Sequence, residues 1–304
     1  MSEINKFESS YSFLVIGKTT ESKETQEQKR YIGVGSSYVI AVNPNKEELE
    51  KIYGNPQDNE PEYVVDTERG KEVRIHFIVR TDPEQCDGIE ITNRLMFTLR
   101  NAPAYNRDET KVQVKDKYGN FTWANTEDVK AGKKLLSSEG KELKIDTEYR
   151  MACVGEADLV GFLKTYLCVG DVFKYVNGSW IKKDNPEEYA FALEHIKDYF
   201  NGNFTELRDA LKLQPNNKVK LLYGVRTTEE NKQYQAVAAR EDLILPNSAG
   251  TNALARMEKA LRDLKERGSY PTTEFKVQPL MEFTLEPTNL EKKEEDAFSS
   301  EAPW

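Results

Sequence analysis

The chain has 304 residues, of which 38% are hydrophobic and 31% charged, and its formal net charge is −9. Its 15 tyrosines and 13 phenylalanines can fill a core, which excludes global disorder. No apolar run approaches the ~20 residues that cross a bilayer, and residues 1–8 lack the pattern of a secretory signal. Three cysteines without a CxxC spacing favour a reducing compartment. We therefore expect a soluble, cytoplasmic protein whose acidic charge excludes diffuse polyanion binding but allows a local basic groove.

Short apolar and alternating segments in the first 125 residues predict a strand-rich block. Residues 19–30 contain no apolar side chain, which predicts a long polar loop between the first two strands. The predicted strands cover residues 11–16, 31–42, 73–80, 89–100 and 111–123, with a short helix at 45–53.

The strands at 73–80 and 89–100 alternate apolar and polar residues with a period of two. We expect the apolar row of each strand to face the core. The opposite face then carries two arginines from each strand, and these neighbouring rows predict one basic groove. The four residues are Arg74, Arg80, Arg94 and Arg100.

Residues 111–123 have the pattern of a tight hairpin with its turn at residues 119–120. If Tyr118 pairs with Phe121, the aromatic residues share the apolar face of the hairpin, and they are either core residues or rings that stack on bases. The predicted apolar face carries Tyr118, Phe121 and Trp123, and the predicted basic face carries Lys111, Lys115 and Lys117.

After residue 150 the pattern changes to amphipathic helices and further strands. The predicted helices lie at 156–168, 186–200, 205–211 and 252–267, and the predicted strands at 218–226, 232–239 and 275–285. The predicted fold class is α+β, an antiparallel β-barrel or bent sheet of the OB type with a helical insertion. The predicted domains are a β-rich nucleic-acid-binding core at 1–150, an α+β subdomain packed on it at 151–285, and a disordered acidic tail at 286–304.

Enzyme motifs are weak in this sequence. The Gly-Lys-Thr sequence at 17–19 lacks the upstream glycine of a phosphate-binding loop, because position 12 is serine. There is no nucleophile-elbow pattern, and the possible soft metal ligands occur singly, without short spacings. We predict no catalytic residues, metal or cofactor. The five scattered ligands are His76, Cys86, Cys153, Cys168 and His195.

Interleaved basic and aromatic residues favour single-stranded nucleic acid as the ligand. Residues 94–118 carry six basic and three acidic side chains, within an acidic protein. Cationic side chains hold phosphates, while aromatic rings stack on bases. The predicted binding residues are Arg74, Arg80, Arg94, Arg100, Tyr105, Arg107, Lys111, Lys115, Lys117, Tyr118, Phe121 and Trp123.

The last six residues, Ser-Ser-Glu-Ala-Pro-Trp, follow an acidic stretch and resemble the C-terminal tail of bacterial single-stranded DNA-binding proteins. That family ends in Asp-Ile-Pro-Phe, so tryptophan here replaces phenylalanine and fewer acids lie near the tip. The resemblance implies that the acidic tail competes with DNA for the basic groove. It also implies that Phe298, Pro303 and Trp304 recruit replication proteins, such as a polymerase, primase or helicase.

Over the whole chain, residues 105–107, 111–114, 117–119, 172–180 and 213–227 are similar to the single-stranded DNA-binding proteins of crAss-like gut phages. The resemblance implies sequence-independent binding and protection of single-stranded DNA during phage replication and recombination, in the host cytoplasm and without a membrane partner. The alternative function is that of a virion-packaged or assembly protein that does not bind nucleic acid.

Overall fold

A computed structural model of the chain describes residues 28–86, 88, 90–116, 118–133, 150–168, 173–184, 190–192, 196–212, 217–277 and 282–286. The strand predicted at 11–16 lies outside these residues. Within them the fold is α+β, and the paired strands are antiparallel, as predicted. No helix of the described residues is long and apolar enough to cross a membrane.

The described strands and helices are given in chain order. The strands are β1 (Gln28–Val42), β2 (Val64–Thr67), β3 (Gly70–Thr81), β4 (Thr92–Pro103), β5 (Lys111–Lys115), β6 (Phe121–Asn125), β7 (Arg150–Met151), β8 (Cys153–Val154), β9 (Phe173–Val176), β10 (Ser179–Lys182), β11 (Ala190–Ala192), β12 (Val219–Thr227), β13 (Gln233–Val237), β14 (Ile244–Pro246), β15 (Thr273–Phe275) and β16 (Glu282–Glu286). The α-helices are α1 (Lys46–Tyr53), α2 (Thr126–Lys130), α3 (Glu156–Leu167), α4 (Ile196–Tyr199), α5 (Thr205–Lys212) and α6 (Thr251–Glu266).

The main sheet joins strands that are distant in sequence. Its hydrogen-bonded order is β13-β12-β1-β3-β4-β8, and β2, β14, β15 and β16 pair alongside this path. The central strand β1 pairs with β12, so that Gly33 lies opposite Tyr223. The boundary predicted at residue 150 therefore does not separate two sheets, because β12 and β13 complete the sheet that β1, β3 and β4 begin.

The main core lies between this sheet and α3. The ring of Phe162 on α3 lies 4.6 Å from that of Phe77 on β3 and 5.3 Å from that of Phe97 on β4. Gly155 precedes α3 with φ = 80°, and a Cβ at this position would clash with the carbonyl oxygen of Thr98. The absence of a side chain at Gly155 therefore lets the start of α3 pack closely against β4.

A second core lies under α6. The helix buries Met257, Leu261 and Leu264, which cluster with Val34 of β1 and Leu222 of β12. Since Val34 and Leu222 are opposite one another in the β1–β12 pair, α6 packs on the side of these strands where both residues point.

Two small sheets flank the main sheet, with orders β6-β5-β7 and β11-β10-β9. Strand β9 of one small sheet contacts the β5–β6 turn of the other, because Tyr175 Oη donates to the carbonyl oxygen of Gly119 at 3.1 Å. Lys164 Nζ of α3 lies 4.2 Å from the centre of the Tyr175 ring. The helix predicted at 186–200 is wrong at residues 190–192, which form β11 and pair with β10.

The predicted tail boundary also needs a correction. The predicted tail begins at Glu286, but this residue belongs to β16 and lies opposite Gln28 of β1. The strand predicted at 275–285 is divided between β15 and β16. Residues 287–304 lie outside the described residues.

Candidate nucleic-acid interface

The register of β3 and β4 brings the four predicted arginines to one face of the main sheet. Arg74 lies opposite Thr98, and Arg94 lies opposite Ile78. We call this face the arginine face; it comprises Arg74, His76, Ile78 and Arg80 of β3 and Arg94, Met96, Thr98 and Arg100 of β4. The alternate residues are buried in the core, as the period of two predicts: Val73, Ile75, Phe77, Val79, Leu95, Phe97 and Leu99.

Carboxylates neutralise the two ends of the arginine face. Arg80 Nε lies 3.4 Å from Glu90 Oε1 and donates to Thr92 Oγ1 at 3.2 Å. Arg100 donates from Nε and Nη2 to Glu72 Oε1, at 3.0 and 2.6 Å. Each of these two arginines is therefore paired with a carboxylate, and it attracts a phosphate less strongly than an unpaired arginine would.

The centre of the arginine face is covered, contrary to the expectation of an open row. His76 is only 8% exposed and Ile78 is fully buried. The ring of Tyr63 packs edge-on against that of His76, with centroids 5.1 Å apart. Burial, followed by the charges of Arg94 and Arg74, lowers the pKa of His76 to about 2. The imidazole is therefore neutral near pH 7.

Three tyrosines near this face were missed from the sequence. Tyr38 of β1 lies opposite Arg80, just before a β-bulge between Val39 and Ala41. Tyr53 and Tyr63 lie close enough to Arg94 for its charge to act on their hydroxyl groups. All three are half-buried. The sequence around them carries no alternating pattern that would have identified them.

The predicted register of the β5–β6 hairpin is wrong. Lys115, not Tyr118, lies opposite Phe121, and Gln113 lies opposite Trp123. An odd shift in register exchanges the faces of a strand, so Trp123 leaves the face of Val112 and Val114 and is 44% exposed. Tyr118, at the turn, is 46% exposed. Both aromatic residues are thus accessible.

The turn chemistry explains the shift. The Asp116 carboxylate accepts hydrogen bonds from the backbone N–H groups of Tyr118 and Asn120, at 2.9 and 2.8 Å. The backbone N–H of Asp116 donates to the carbonyl oxygen of Asn120 at 3.0 Å. An aspartate that closes a turn in this way replaces the two-residue turn expected at 119–120.

Lys115 does not belong to an accessible basic surface, and that expectation is corrected. It is 6% exposed, and its Nζ lies 3.4 Å from Oε1 of the fully buried Glu156. Arg150 also pairs with Glu156, whose Oε2 accepts from the backbone N–H of Cys153 at 3.0 Å. A buried charge requires such partners. Phe121 is half-buried and packs against the main core.

The loop between β4 and β5 presents the remaining predicted residues. Tyr105 is 37% exposed and pairs with Val112 through an isolated β-bridge. Arg107 and Lys111 are exposed, and the Asn106 side chain accepts from the backbone N–H of Lys111 at 2.8 Å. This loop therefore offers two exposed cations beside an exposed ring.

Some predicted positions lie outside the described residues: Lys117, His195 and the partner-binding Phe298, Pro303 and Trp304. Among the residues that the structure describes, no group of three or more His, Cys, Asp or Glu side chains is placed to hold a metal ion.

No protein-family model matches this chain, no curated protein is significantly similar to it in sequence, and no solved structure matches it significantly.

Proposed function

We propose that the chain binds single-stranded DNA across the arginine face, without sequence preference and without catalysis. The observation that carries the proposal is the β3–β4 register, which gathers four arginines on one face beside Tyr38 and Tyr63. Cations that follow the backbone and rings that stack on bases are what sequence-tolerant single-strand binding requires.

The finer fold assignment, an OB-like barrel, is part of this proposal. β13 comes within 8 Å of β4 between Cα atoms, in addition to pairing with β12. The hydrogen-bonded path of the described strands does not close between β4 and β13, but this approach supports reading the strands in the order β1, β3, β4, β13, β12, which is the order of an OB barrel. The second and third strands of that fold form its usual oligonucleotide-binding face, and here these strands are β3 and β4.

The loop and hairpin beside β4 extend the proposed surface. Tyr105, Tyr118 and Trp123 are exposed, and Arg107 and Lys111 lie between them in sequence. We assign the rings to base stacking and the cations to phosphate contacts. Lys115 is left out because it is buried and paired.

The phage context and the tail remain part of the proposal. The resemblance to the binding proteins of crAss-like phages supports a role in phage replication and recombination in the host cytoplasm. Residues 287–304 keep five acidic and two basic side chains, and such a tether competes with DNA for cationic surfaces. Phe298, Pro303 and Trp304 are the proposed contacts with a polymerase, primase or helicase.

Fluorescence anisotropy with a ~30-residue oligo-dT at two salt concentrations tests the proposal. We expect binding that weakens as salt rises and that hardly changes when the base sequence is varied. An affinity that is undetectable at low salt would reject it.

One observation favours the alternative, an assembly protein. The described exposed large apolar side chains are concentrated on the β6-β5-β7 sheet and at the nearby β9–β10 turn, as in a protein-binding patch: Tyr105, Tyr118, Trp123, Met151 and Val176. Stable self-association, together with no salt-dependent affinity for oligonucleotides, would favour this alternative.

A further inference from the structure

Strand β6 lies at the edge of the β6-β5-β7 sheet, and among the described strands it pairs with β5 alone. On β5, Gln113 lies opposite Trp123 of β6. The backbone of Gln113 is bonded on its other side, because its N–H donates to the carbonyl oxygen of Ala104 at 2.8 Å and its carbonyl oxygen accepts from the N–H of Ala152 at 2.9 Å. Opposite residues of an antiparallel pair exchange both hydrogen bonds or neither. The N–H and C=O of Trp123 therefore point to the outer edge of β6.

The outer edge of β6 consists of the backbone groups of alternate residues. Phe121 and Asn125 lie two residues to either side of Trp123, and their N–H groups point the same way. The intervening Thr122 and Ala124 bond to β5 instead. Among the residues that the structure describes, none forms a hydrogen bond with the backbone of Phe121 or Trp123 at this edge. Free N–H and C=O groups along an edge are a template for pairing with another strand.

The sequence of β6 lacks the features that usually protect an edge strand. Such strands carry charged side chains or proline, or they contain a bulge. β6 reads Phe-Thr-Trp-Ala-Asn, without charge or proline, and its register with β5 is continuous. One face of this small sheet is covered, because Val129 of α2 packs against Val112 and Val114. The other face carries Trp123, which lies at the centre of the strand and is 44% exposed.

We propose that β6 is a dimer interface, at which β6 of a second copy of the chain pairs with it in antiparallel orientation across a two-fold axis at Trp123. Since the odd-numbered residues direct their backbone groups outward, they must lie opposite one another. A pairing that uses all five residues then places Trp123 opposite Trp123 of the second copy, and Phe121 opposite its Asn125. The two three-stranded sheets become one continuous sheet, with the two indole rings adjacent on one face.

A second copy fits this edge because the edge is complementary to itself. A two-fold axis brings the same surface of both copies together, and β6 contains no charged side chain that would then face its own like charge. The contact uses the backbone edge of β6 and leaves the arginine face free. The dimer therefore goes beyond the proposed function and does not compete with it. A five-residue strand offers a small interface, so we expect weak association.

Amide hydrogen exchange of the full native chain tests the interface directly. Sedimentation velocity on the same samples measures association between about 10 μM and 1 mM, the range of a weak interface. As the dimer forms, exchange of the outward N–H of Trp123 should slow several-fold. The N–H groups of Thr122 and Ala124 bond to β5 within one copy, so their exchange should change much less. A chain that stays monomeric, leaving the edge to a strand of another protein, or a dimer that leaves Trp123 exchange unchanged, would overturn the proposal.

Matched cysteine variants test the register. Trp123→Cys places a thiol from each copy at the axis, where the Cα atoms of opposite residues lie about 5.5 Å apart, within the range of a disulfide. Gln113→Cys lies one strand farther from the axis in each copy, so its Cα atoms are about 14 Å apart and cannot be bridged. Mild oxidation should give a covalent dimer of the first variant alone, above the background of the native chain with its three cysteines. Equal crosslinking of the two variants would overturn the pairing.

Titration of the same samples with oligo-dT separates this inference from the proposed function. A dimer with protected Trp123 and salt-dependent affinity for oligo-dT supports both. If the dimer forms through β6 but oligo-dT does not bind, the interface is supported and DNA binding is rejected. If oligo-dT binds to a chain that remains monomeric, the interface is rejected and DNA binding is retained.

Discussion

Arg74 and Arg80 lie on the same face of β3, but their surroundings differ. Arg80 has Glu90 as its partner, whereas Arg74 lies beside His76 and contributes to lowering its pKa. Alternation along a strand predicts which face a side chain occupies. It does not predict the ion pairs, because the β3–β4 register decides that Glu72 lies opposite Arg100.

Trp123 and Phe121 allow stacking to be distinguished from core packing. Trp123→Ala should weaken oligo-dT binding by about 1–3 kcal/mol, the usual effect of removing one stacking ring, and leave the Tm nearly unchanged. Phe121→Ala should instead lower the unfolding free energy by about 3 kcal/mol, because this ring packs against the core. Anisotropy and thermal unfolding of both variants check the difference. A Trp123 variant that is less stable but keeps its affinity for oligo-dT would show that this ring stabilises the fold and does not stack on a base.

His76 should make stability depend on pH. Its pKa is about 2 in the folded chain and about 6.5 when unfolded, so the unfolded state binds more protons between these values. Stability should therefore fall as the pH drops below about 6.5. The contribution is about 1.4 kcal/mol per pH unit, or about 2 kcal/mol between pH 7 and 5.

Urea unfolding in chloride buffer at pH 7 and pH 5 measures this contribution. His76→Gln should remove it, while the pH dependence due to other groups remains. If the variant and the native chain are destabilised equally between the two pH values, His76 is not buried as a neutral ring.

At the scale of elements, the β5–β6 turn of one small sheet packs closely against the β9–β10 turn of the other. A Cβ on Gly119 would clash with Tyr175 Oη and lie 2.6 Å from the Cα of Gly178. Gly132 also has a positive φ, 62° against 78° for Gly119, but the described residues leave open space around it.

Gly119→Ala should therefore be more destabilising than Gly132→Ala. Both carry the backbone strain of a left-handed residue, about 1–2 kcal/mol, and only Gly119→Ala adds overpacking of about 1–3 kcal/mol. Chemical denaturation of the two variants gives the difference. Equal losses of unfolding free energy in the two variants would show that Gly119 is not closely packed against the β9–β10 turn.

The sequence correctly predicted those elements that are determined by residues close together in the chain. The faces of β3 and β4 follow from alternation, and α1 follows from the helical spacing of Leu49, Ile52 and Tyr53. The structure adds a cap to this helix, since the Asn45 side chain accepts from the backbone N–H of Glu48 at 2.9 Å. The pairing of β12 with β1 joins residues far apart in sequence, and no local pattern specifies it.

The candidate site was predicted in part, for the same reason. The arginines of β3 and β4 follow from the period of two, whereas the position of Tyr38 opposite Arg80 depends on the pairing of β1 with β3, which no local pattern specifies. The exposure of Trp123 was missed because Asp116, through its side-chain hydrogen bonds, sets the register of the hairpin.

At the scale of the molecule, the proposed binding of DNA by a chain of net charge −9 requires that repulsion between DNA and the carboxylates of the chain be limited. Removing residues 287–304 should raise the affinity for oligo-dT, most clearly at low salt, where the Debye length exceeds about 10 Å. β16 ends at Glu286, so the truncation leaves this strand intact. Anisotropy of the native and truncated chains checks the effect, and a lower or unchanged affinity at low salt would contradict a competing tail.

Removing only Pro303 and Trp304 should leave DNA binding nearly unchanged. It should weaken capture of a replication partner, because a terminal indole is a typical anchor residue. Pull-downs with a polymerase, primase or helicase measure this role, and undiminished capture would argue against it.

The most direct measurement of DNA binding by this surface is the salt dependence of oligo-dT affinity for Arg74→Gln/Arg107→Gln/Lys111→Gln. The matched control is Lys212→Gln/Lys232→Gln/Lys259→Gln, which removes the same charge from exposed positions elsewhere. Each cation that no longer neutralises a phosphate should flatten the slope of log affinity against log salt by about 0.7. We predict a slope about 2 units shallower for the first variant and an unchanged slope for the control. Equal slopes and affinities in the two variants would contradict the assignment of this surface to single-stranded DNA.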